Sequence, residues 1–200
     1  MNPDRLRRPR ATQFPKDRVL VVGSTPLHRE YTRWLLRRID QHPGLFEEAS
    51  PADDPKQTIR RAAKIARDQR TMGSECQQVW VILDGVTPDE AADLQRDAKA
   101  PRVSVVGSTP DLRTWLMLHL ADLPEPPTSE ALTGALQVLS PTFAQPLRRY
   151  EDALSGRYEV AKSRALALVE PSVRTDAYRL VDSILGSSER FHGTAQIGLL

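Results

Sequence analysis

The chain has 200 residues, 40% of them hydrophobic and 27% charged, which is the composition of a globular protein rather than of a disordered one. A net charge of +2 does not by itself indicate a nucleic-acid partner. The single cysteine, Cys76, excludes an intrachain disulfide and a multi-cysteine metal site and favours a reducing, cytoplasmic location. Because the apolar runs are far shorter than the roughly 20 residues of a membrane span, we expect no membrane partner.

The N-terminal residues 1–17 are polar and basic, and we expect them to form a disordered tail. Their basic side chains are Arg5, Arg7, Arg8, Arg10 and Lys16, against two acidic ones, Asp4 and Asp17. Residues 18–22 are an uninterrupted, largely β-branched run, which predicts a strand buried on both faces. Apolar residues then recur at helical spacing from Leu27, and Thr25 and Pro26 fit the N-cap and the first position of that helix.

Strands and helices alternate as far as Leu120. Further strands are predicted at residues 45–50, 79–83 and 102–106, and helices at 54–69, 87–99 and 111–120. Asp54 fits the N-cap of the first of these helices, and Thr87 with Glu90 fits a capping box at the second. Such alternation implies right-handed crossovers between parallel strands. We therefore predict an α/β fold with a mostly parallel sheet flanked by helices.

Only helices are predicted after Leu120. They lie at residues 129–139, 144–154, 157–169 and 175–186, behind a proline-rich linker at 123–128. The last stretch contains serine and glycine and is expected to fray. The predicted organisation is a disordered tail at 1–17, an α/β domain at 18–122, a helical extension at 123–186 and a flexible tail at 187–200.

A six-residue sequence, Val-Val-Gly-Ser-Thr-Pro, occurs twice, at 21–26 and at 105–110, each time between a predicted strand and a predicted helix. One interpretation is convergent capping chemistry at the two helix starts. The other is a pair of backbone N–H clusters at the carboxyl edge of the sheet, where Thr25 and Thr109 would help to bind an anion such as phosphate. An echo this short does not indicate duplication.

Asp84 directly follows the strongest predicted strand, which places its carboxylate at the carboxyl edge of the sheet, where α/β proteins bind ligands. A lone Asp before Gly also fits a turn. His28, Glu30 and Asp111 lie in first helical turns, where the helix dipole alone favours the two acids, and we expect His28 to be solvated. His119, in the middle of an apolar helix, is expected to be a hydrogen-bonded core histidine.

Basic residues recur in steps of three or four on two predicted helices. They form one stripe of Arg29, Arg33 and Arg37 and another of Arg60, Lys64 and Arg67. Together with the basic tail, the two stripes could follow a nucleic-acid backbone. Alternatively, each stripe is a solvated helix face.

Several segments follow one another in the order of the motifs of one known family. Residues 21–35 lie where that family has Cys-Glu-Gly-x-x-Thr-Glu-x-x-Tyr-Phe, and residues 79–84 match its Val-Trp-x-x-Phe-Asp-x-Asp strand. Residues 108–119 match Ser-Asn-Pro-x-Phe-Glu-x-Trp-Leu-x-Leu-His, and residues 170–175 resemble an Asn-Pro-Ser-Thr segment. From about residue 18 to residue 186 the chain thus resembles the RloB-like proteins, a prokaryotic family associated with phage defence that has a Toprim-like fold and is often encoded near an ATPase.

The metal site that this resemblance implies is mostly missing. Gly23 and His28 stand at the positions of two glutamates, Val86 at that of the second aspartate, and Arg113 at that of the glutamate before the Trp-Leu run. Of the implied carboxylates only Asp84 remains, and a single carboxylate binds Mg²⁺ poorly because the ion keeps its waters. We therefore expect a degenerate Toprim site.

The first functional hypothesis is a catalytically impaired RloB-like antiviral protein. It would need no cofactor and would bind nucleic acid or a protein partner such as an ATPase. Arg113, four residues after Thr109, would help to turn the old metal pocket into an anion pocket.

The second hypothesis is an active nuclease dependent on Mg²⁺ or Mn²⁺. Its catalytic residues would be Asp84, Glu30 and His28, and its metal ligands Asp84 and Asp111. The third is a structural or assembly subunit without catalysis. A short distance from Asp84 to Glu30 or Asp111 would favour the nuclease, whereas Arg113 beside Asp84 would favour binding or assembly.

Overall fold

The structure of the protein, a computed structural model, describes residues 18–38, 44–50, 53–140, 154, 156–170 and 172–192. The predicted tail at 1–17, nearly all of the predicted helix at 144–154 and residues 193–200 lie outside the described residues. Within the described part of the chain, no helix combines the length and the apolar character needed to cross a membrane.

The described residues form one five-stranded sheet with helices on both faces. The strands are β1 (Arg18–Gly23), β2 (Leu45–Glu48), β3 (Cys76–Asp84), β4 (Ser104–Thr109) and β5 (Arg174–Thr175). The helices are α1 (Pro26–Arg38), α2 (Pro55–Thr71), α3 (Pro88–Asp97), α4 (Arg113–Leu120), α5 (Ser129–Leu139), α6 (Tyr158–Ala167) and α7 (Tyr178–His192).

The sheet has the strand order β2-β1-β3-β4-β5, in which the first four strands are parallel and β5 is antiparallel to β4. The predicted α/β class with a mostly parallel sheet is confirmed, and the arrangement is consistent with a Toprim-like fold. The prediction that only helices follow Leu120 is wrong, because β5 lies among them. Its two residues are too short a run to give a strand pattern in the sequence.

Alternate residues of each strand bury the two faces of the sheet, as in parallel sheets with helices on both sides. In β1, Val19 and Val21 belong to one hydrophobic cluster, and Leu20 and Val22 belong to the other. The first cluster also includes side chains of α1, α4, α5, α6 and α7, whereas the second includes side chains of α2 and α3. The C-terminal helices therefore share a core with the sheet, and the domain boundary at residue 122 stays a prediction.

Three predicted helix starts are confirmed by their hydrogen bonds. Thr25 Oγ1 accepts a hydrogen bond from the N–H of His28 over 3.2 Å, and Asp54 Oδ1 accepts one from a backbone N–H of the first turn of α2 over 2.8 Å. Thr87 and Glu90 form the predicted capping box of α3. Each of these caps depends only on residues within one helical turn, which is why the sequence predicts them.

Several element bounds differ from their predictions. β3 begins at Cys76 instead of residue 79, and its polar first residues hid that start. β4 begins at Ser104 instead of residue 102, because the N–H of Val103 donates to the carbonyl of Ala100 over 3.0 Å and closes a turn there. α7 begins at Tyr178 and continues to His192, so the described part of the predicted flexible tail is helical.

Candidate functional site

The carboxyl ends of β1 and β3 lie side by side near the middle of the sheet. The chain leaves β1 through α1 towards β2 on one side, and it leaves β3 through α3 towards β4 on the other. In doubly wound sheets such a switch point leaves a crevice in which ligands bind. The predicted site residues Thr25, His28, Glu30 and Asp84 all stand at or just after these two strand ends.

His28 and Asp84 contact each other across this switch point. The imidazole Nε2 of His28 lies 2.9 Å from Oδ1 of Asp84, which is an ion-pair distance although the angle is not that of a hydrogen bond. The N–H of Ser24 donates to His28 Nδ1 over 3.3 Å, so Nδ1 acts as an acceptor and Nε2 is the ring nitrogen nearest the carboxylate. The His28 side chain is fully buried, and the Asp84 side chain is 27% exposed. The prediction that His28 is solvated is therefore wrong.

The burial of His28 depends on the glycine at position 23. A Cβ on Gly23 would lie 2.6 Å from Cβ and 2.7 Å from Nδ1 of His28, which is too close for non-bonded atoms. The imidazole thus occupies the space in which any side chain at position 23 would begin. Gly23 and His28 are consequently a matched pair.

Asp84 is also bonded to the segment that begins α4. Its Oδ1 accepts the N–H of Leu112 over 2.9 Å. The next residue, Gly85, has a φ of 68° and donates its N–H to the carbonyl oxygens of Ser108 and Pro110, both at 2.9 Å. The predicted turn and the predicted edge position are both present, and the carboxylate of Asp84 connects β3 to α1 and to α4.

Arg113 pairs with Asp111 rather than with Asp84. Its Nη1 donates to Oδ2 of Asp111 over 2.8 Å, and its backbone N–H donates to Oδ1 over 2.7 Å. Asp111 is buried and the Arg113 side chain is 35% exposed. Because a buried carboxylate offsets the guanidinium charge, Arg113 attracts an external anion less strongly than an unpaired arginine would.

The acidic residues do not gather into a metal site in the described part of the chain. No group of three or more His, Cys, Asp or Glu side chains that could hold a metal ion is found there. Mg²⁺ is bound through several oxygen ligands in near-octahedral geometry. The predicted metal ligands, Asp84 and Asp111, are each engaged with a basic residue instead, and the predicted catalytic Glu30 forms no ion pair with any described residue.

The two copies of the Val-Val-Gly-Ser-Thr-Pro sequence behave differently. The first caps α1 through Thr25. After the second, α4 begins only at Arg113, and its N-cap residue Leu112 makes no side-chain capping hydrogen bond. The carbonyl of Thr109 accepts the hydroxyl of Thr114 over 3.0 Å, and the Thr109 hydroxyl is buried without a hydrogen-bond partner among the described residues. Convergent capping therefore explains only the first copy.

The two basic stripes lie on opposite faces of the sheet, since α1 packs into the first hydrophobic cluster and α2 into the second. Arg29 pairs with Glu48 of β2 over 2.9 Å. Arg33 and Arg37 are exposed and form no ion pair with any residue that the structure describes. The two stripes therefore do not combine into one nucleic-acid surface. The exposed cations Arg33 and Arg37 form a separate surface on α1.

Two buried residues of the C-terminal part, Thr175 and Asp176, contact the end of β4, and the sequence analysis did not predict either contact. The hydroxyls of Ser108 and Thr175 lie 2.7 Å apart, and Oδ1 of Asp176 accepts the N–H of Gly107 over 2.8 Å. Burial raises the pKa of Asp176, while its ion pair with Arg179 opposes that shift. The position of Thr175 and Asp176 just before α7 is typical of helix-capping residues. Nothing nearby in the sequence indicates that their side chains also bond to β4.

The chain matches no family model, no curated protein and no solved structure. The resemblance to RloB-like proteins therefore stays a prediction, which depends on the order of the sequence motifs alone. Asp84, the one carboxylate that remains of the metal site implied by that resemblance, contacts His28 and accepts the N–H of Leu112.

Proposed function

We propose that this chain is a catalytically impaired RloB-like protein that acts in antiviral defence by binding nucleic acid and needs no metal cofactor. The observation that carries the proposal is the double engagement of Asp84 Oδ1 by His28 and by the N–H of Leu112. A carboxylate that holds Mg²⁺ needs further oxygen ligands beside it, and no group of three or more candidate ligands is found among the described residues. Asp84 instead joins the ends of three elements, which is a structural role.

The binding part of the proposal is supported by the exposed cations of α1. Arg33 and Arg37 are one helical turn apart, so their side chains lie on the same stripe of the helix. Guanidinium groups bind phosphate through two parallel hydrogen bonds. The sequence before β1 adds five basic residues against two acidic ones, close along the chain to this helix. Contacts of this kind bind nucleic acid with little base preference.

The absence of catalysis is tested by a cleavage assay on plasmid and single-stranded DNA in Mg²⁺ and in Mn²⁺. The wild type is compared with Asp84→Asn, which keeps an oxygen acceptor for the N–H of Leu112 while removing the charge. We expect neither protein to cut. Metal-dependent cutting that disappears in the variant would overturn the proposal in favour of the nuclease built from Asp84, Glu30 and His28.

Nucleic-acid binding is tested by fluorescence anisotropy with labelled duplex DNA over a range of salt concentrations. Arg33→Ala/Arg37→Ala should weaken binding and lower the slope of log K against log salt by about 1.8, or about 0.9 for each phosphate that is no longer neutralised. The matched control is Arg60→Ala/Lys64→Ala, which removes two exposed cations one turn apart on α2, on the opposite face. Equal effects of the two double variants would exclude α1 as the interface.

A second candidate function, assembly with a protein partner, is favoured by exposed apolar side chains in the C-terminal part. The exposed large hydrophobic residues on or just after α5 and α6 are Val138, Leu139, Val160, Leu166 and Val169. Exposed apolar side chains mark an interaction site where they lie side by side in one patch. Light scattering over a range of concentrations tests self-assembly, and a mass that rises with concentration in the wild type but not in Val138→Ser/Leu166→Ser would support it.

A further inference from the structure

A cavity of about 700 Å³ lies beside the first residues of β3, at the other end of this strand from Asp84. It is formed by the C-terminal half of α2, the first residues of β3 and the segment 98–103 that leads into β4. Small-molecule sites in proteins have volumes on the order of 300–1,000 Å³. This cavity is therefore large enough for an organic ligand, and it shares no lining residue with the switch point.

The charged side chains that line the cavity are mostly basic. They are Arg60, Arg67, Arg70, Lys99, Arg102 and the single acid Glu75. Glu75 pairs with Arg70 over 3.0 Å, so the other four cations have no ion-pair partner among the described residues. Gathered like charges create a local positive potential, which favours a ligand with several negative charges.

The lining between these cations is apolar and carries little side-chain bulk. On α2 the steps from Arg60 to Ala63, Arg67 and Arg70 keep to one face of the helix. Further lining residues are Ala66, Val79, Ala98, Ala100 and Val103. We call these alanine and valine residues the floor of the cavity, and their small side chains leave room for an apolar group beside the cations.

Lys99 stands at this cavity in an unusual backbone conformation. Its φ is 53°, and among the described residues it is the only non-glycine with a positive φ. The left-handed region is costly for a residue with a Cβ and is normally taken by glycine or asparagine. Lys99 directly follows Ala98, the C-cap of α3, where a left-handed residue commonly ends a helix. The contribution of Lys99 to the cavity is therefore its cationic side chain.

We propose that this cavity binds a nucleotide, with its phosphates against the unpaired cations and its base on the alanine and valine floor. The four cations call for more than one negative charge, and arginine is suited to phosphate oxygens. An inorganic anion would leave the apolar floor uncovered, whereas an uncharged nucleoside would leave the cations unpaired. The inference does not depend on nucleic-acid binding by α1, which lies on the other face of the sheet.

Calorimetry with the full chain at physiological salt tests this directly. Each of the four ribonucleoside triphosphates is titrated, beside the matching nucleosides and inorganic tripolyphosphate. We expect one or more triphosphates to bind, and both fragments to bind at least about tenfold more weakly. Tripolyphosphate that binds as tightly as every triphosphate, or the lack of binding by all four, would overturn the proposal.

Variants show whether the lining cations carry the binding. Arg67→Ala should weaken nucleotide affinity roughly tenfold, whereas Lys64→Ala, an exposed cation on the same helix that does not line the cavity, should leave it unchanged. Lys99→Gly should also weaken affinity, while the unfolding free energy stays equal or rises because glycine suits a φ of 53°. Unchanged affinity in both Arg67→Ala and Lys99→Gly would contradict the assignment.

The position of the ligand is tested through Cys76, which lines the cavity and is the only cysteine of the chain. Burial raises the pKa of this thiol, so alkylation is followed by mass spectrometry over hours at mildly alkaline pH. At a nucleotide concentration near the Kd of the wild type, the alkylation of the wild type should slow clearly, whereas that of Arg67→Ala should change little. Nucleotide binding with no protection of Cys76 would place the ligand elsewhere and refute this site.

Discussion

Trp115 of α4 donates a hydrogen bond from its indole Nε1 to the hydroxyl oxygen of Tyr31 of α1 over 2.7 Å, although 84 residues separate them in the chain. Both side chains are fully buried, and this burial raises the pKa of Tyr31. The bond joins the helix that follows β1 to the helix that follows β4 on one face of the sheet.

Tyr31→Phe is expected to lower the unfolding free energy by about 1–3 kcal/mol, because it leaves the buried indole N–H of Trp115 without this acceptor. Urea denaturation of the variant measures the loss. Trp115→Phe and the double variant complete a mutant cycle, in which the second substitution should cost less when the first is already present. Additive losses would show that the two side chains contribute independently.

Gly23→Ala is expected to destabilise the fold by about 1–3 kcal/mol, since the new Cβ would overlap the buried His28 side chain. Gly134→Ala is the matched control, because that glycine lies in α5 with no heavy atom within 4 Å of the position of its Cβ. In a helix, alanine is preferred to glycine by about 1 kcal/mol, so the control should gain stability. Two thermal melts that shift in the same direction would contradict the tight contact at the switch point.

His119 is expected to make the fold less stable in mild acid. The predicted core histidine is confirmed, since it is buried and its Nδ1–H donates to the carbonyl of Trp115 over 2.9 Å. Burial lowers the pKa of His119 from 6.5 to about 4, and the nearby positive charge of Arg157 acts in the same direction. Because the folded-state pKa lies below the unfolded-state value, the stabilising contribution is complete above pH 6.5 and is lost as the pH falls towards 4.

That loss reaches about 3 kcal/mol across this window, from about 1.4 kcal/mol for each tenfold change in proton affinity. The measurement is the unfolding free energy in urea at a series of pH values for the wild type and for His119→Gln, which cannot titrate. The difference between the two proteins removes the contribution of carboxylates that titrate in the same range. Parallel pH profiles would show that His119 is not protonated on unfolding.

The sequence predicted the elements that depend on residues close together along the chain. β1 and the core of β3 are apolar runs, and the caps at Asp54 and Thr87 act within one helical turn. β5 could not be predicted, because its two residues become a strand only through their pairing with Ser108 and Thr109 of β4. A short pairing of this kind depends on neighbours that are distant along the chain.

At the candidate site, the sequence located Asp84 but not its partners. The burial of His28 requires a glycine five residues earlier and a carboxylate from another strand, and neither relationship has a periodic pattern. Arg113 was predicted to help form an anion pocket, but the carboxylate of Asp111, two residues before it, is its partner. The cationic cavity was also missed, because it forms only where α2 packs beside the segment that leads into β4.

The two-residue strand β5 is the neighbour of β4 on its outer side, at Ser108 and Thr109. A fragment that ended at residue 122 would expose the backbone of β4 at Ser108 and Thr109. It would also expose the N–H of Gly107, which now donates to Asp176. Bare backbone donors and acceptors along a strand are a template on which a second molecule can add its own strand. By covering the edge of β4, residues 174–176 thus protect the sheet from pairing with a second molecule. Shortened forms of the protein should therefore retain these residues.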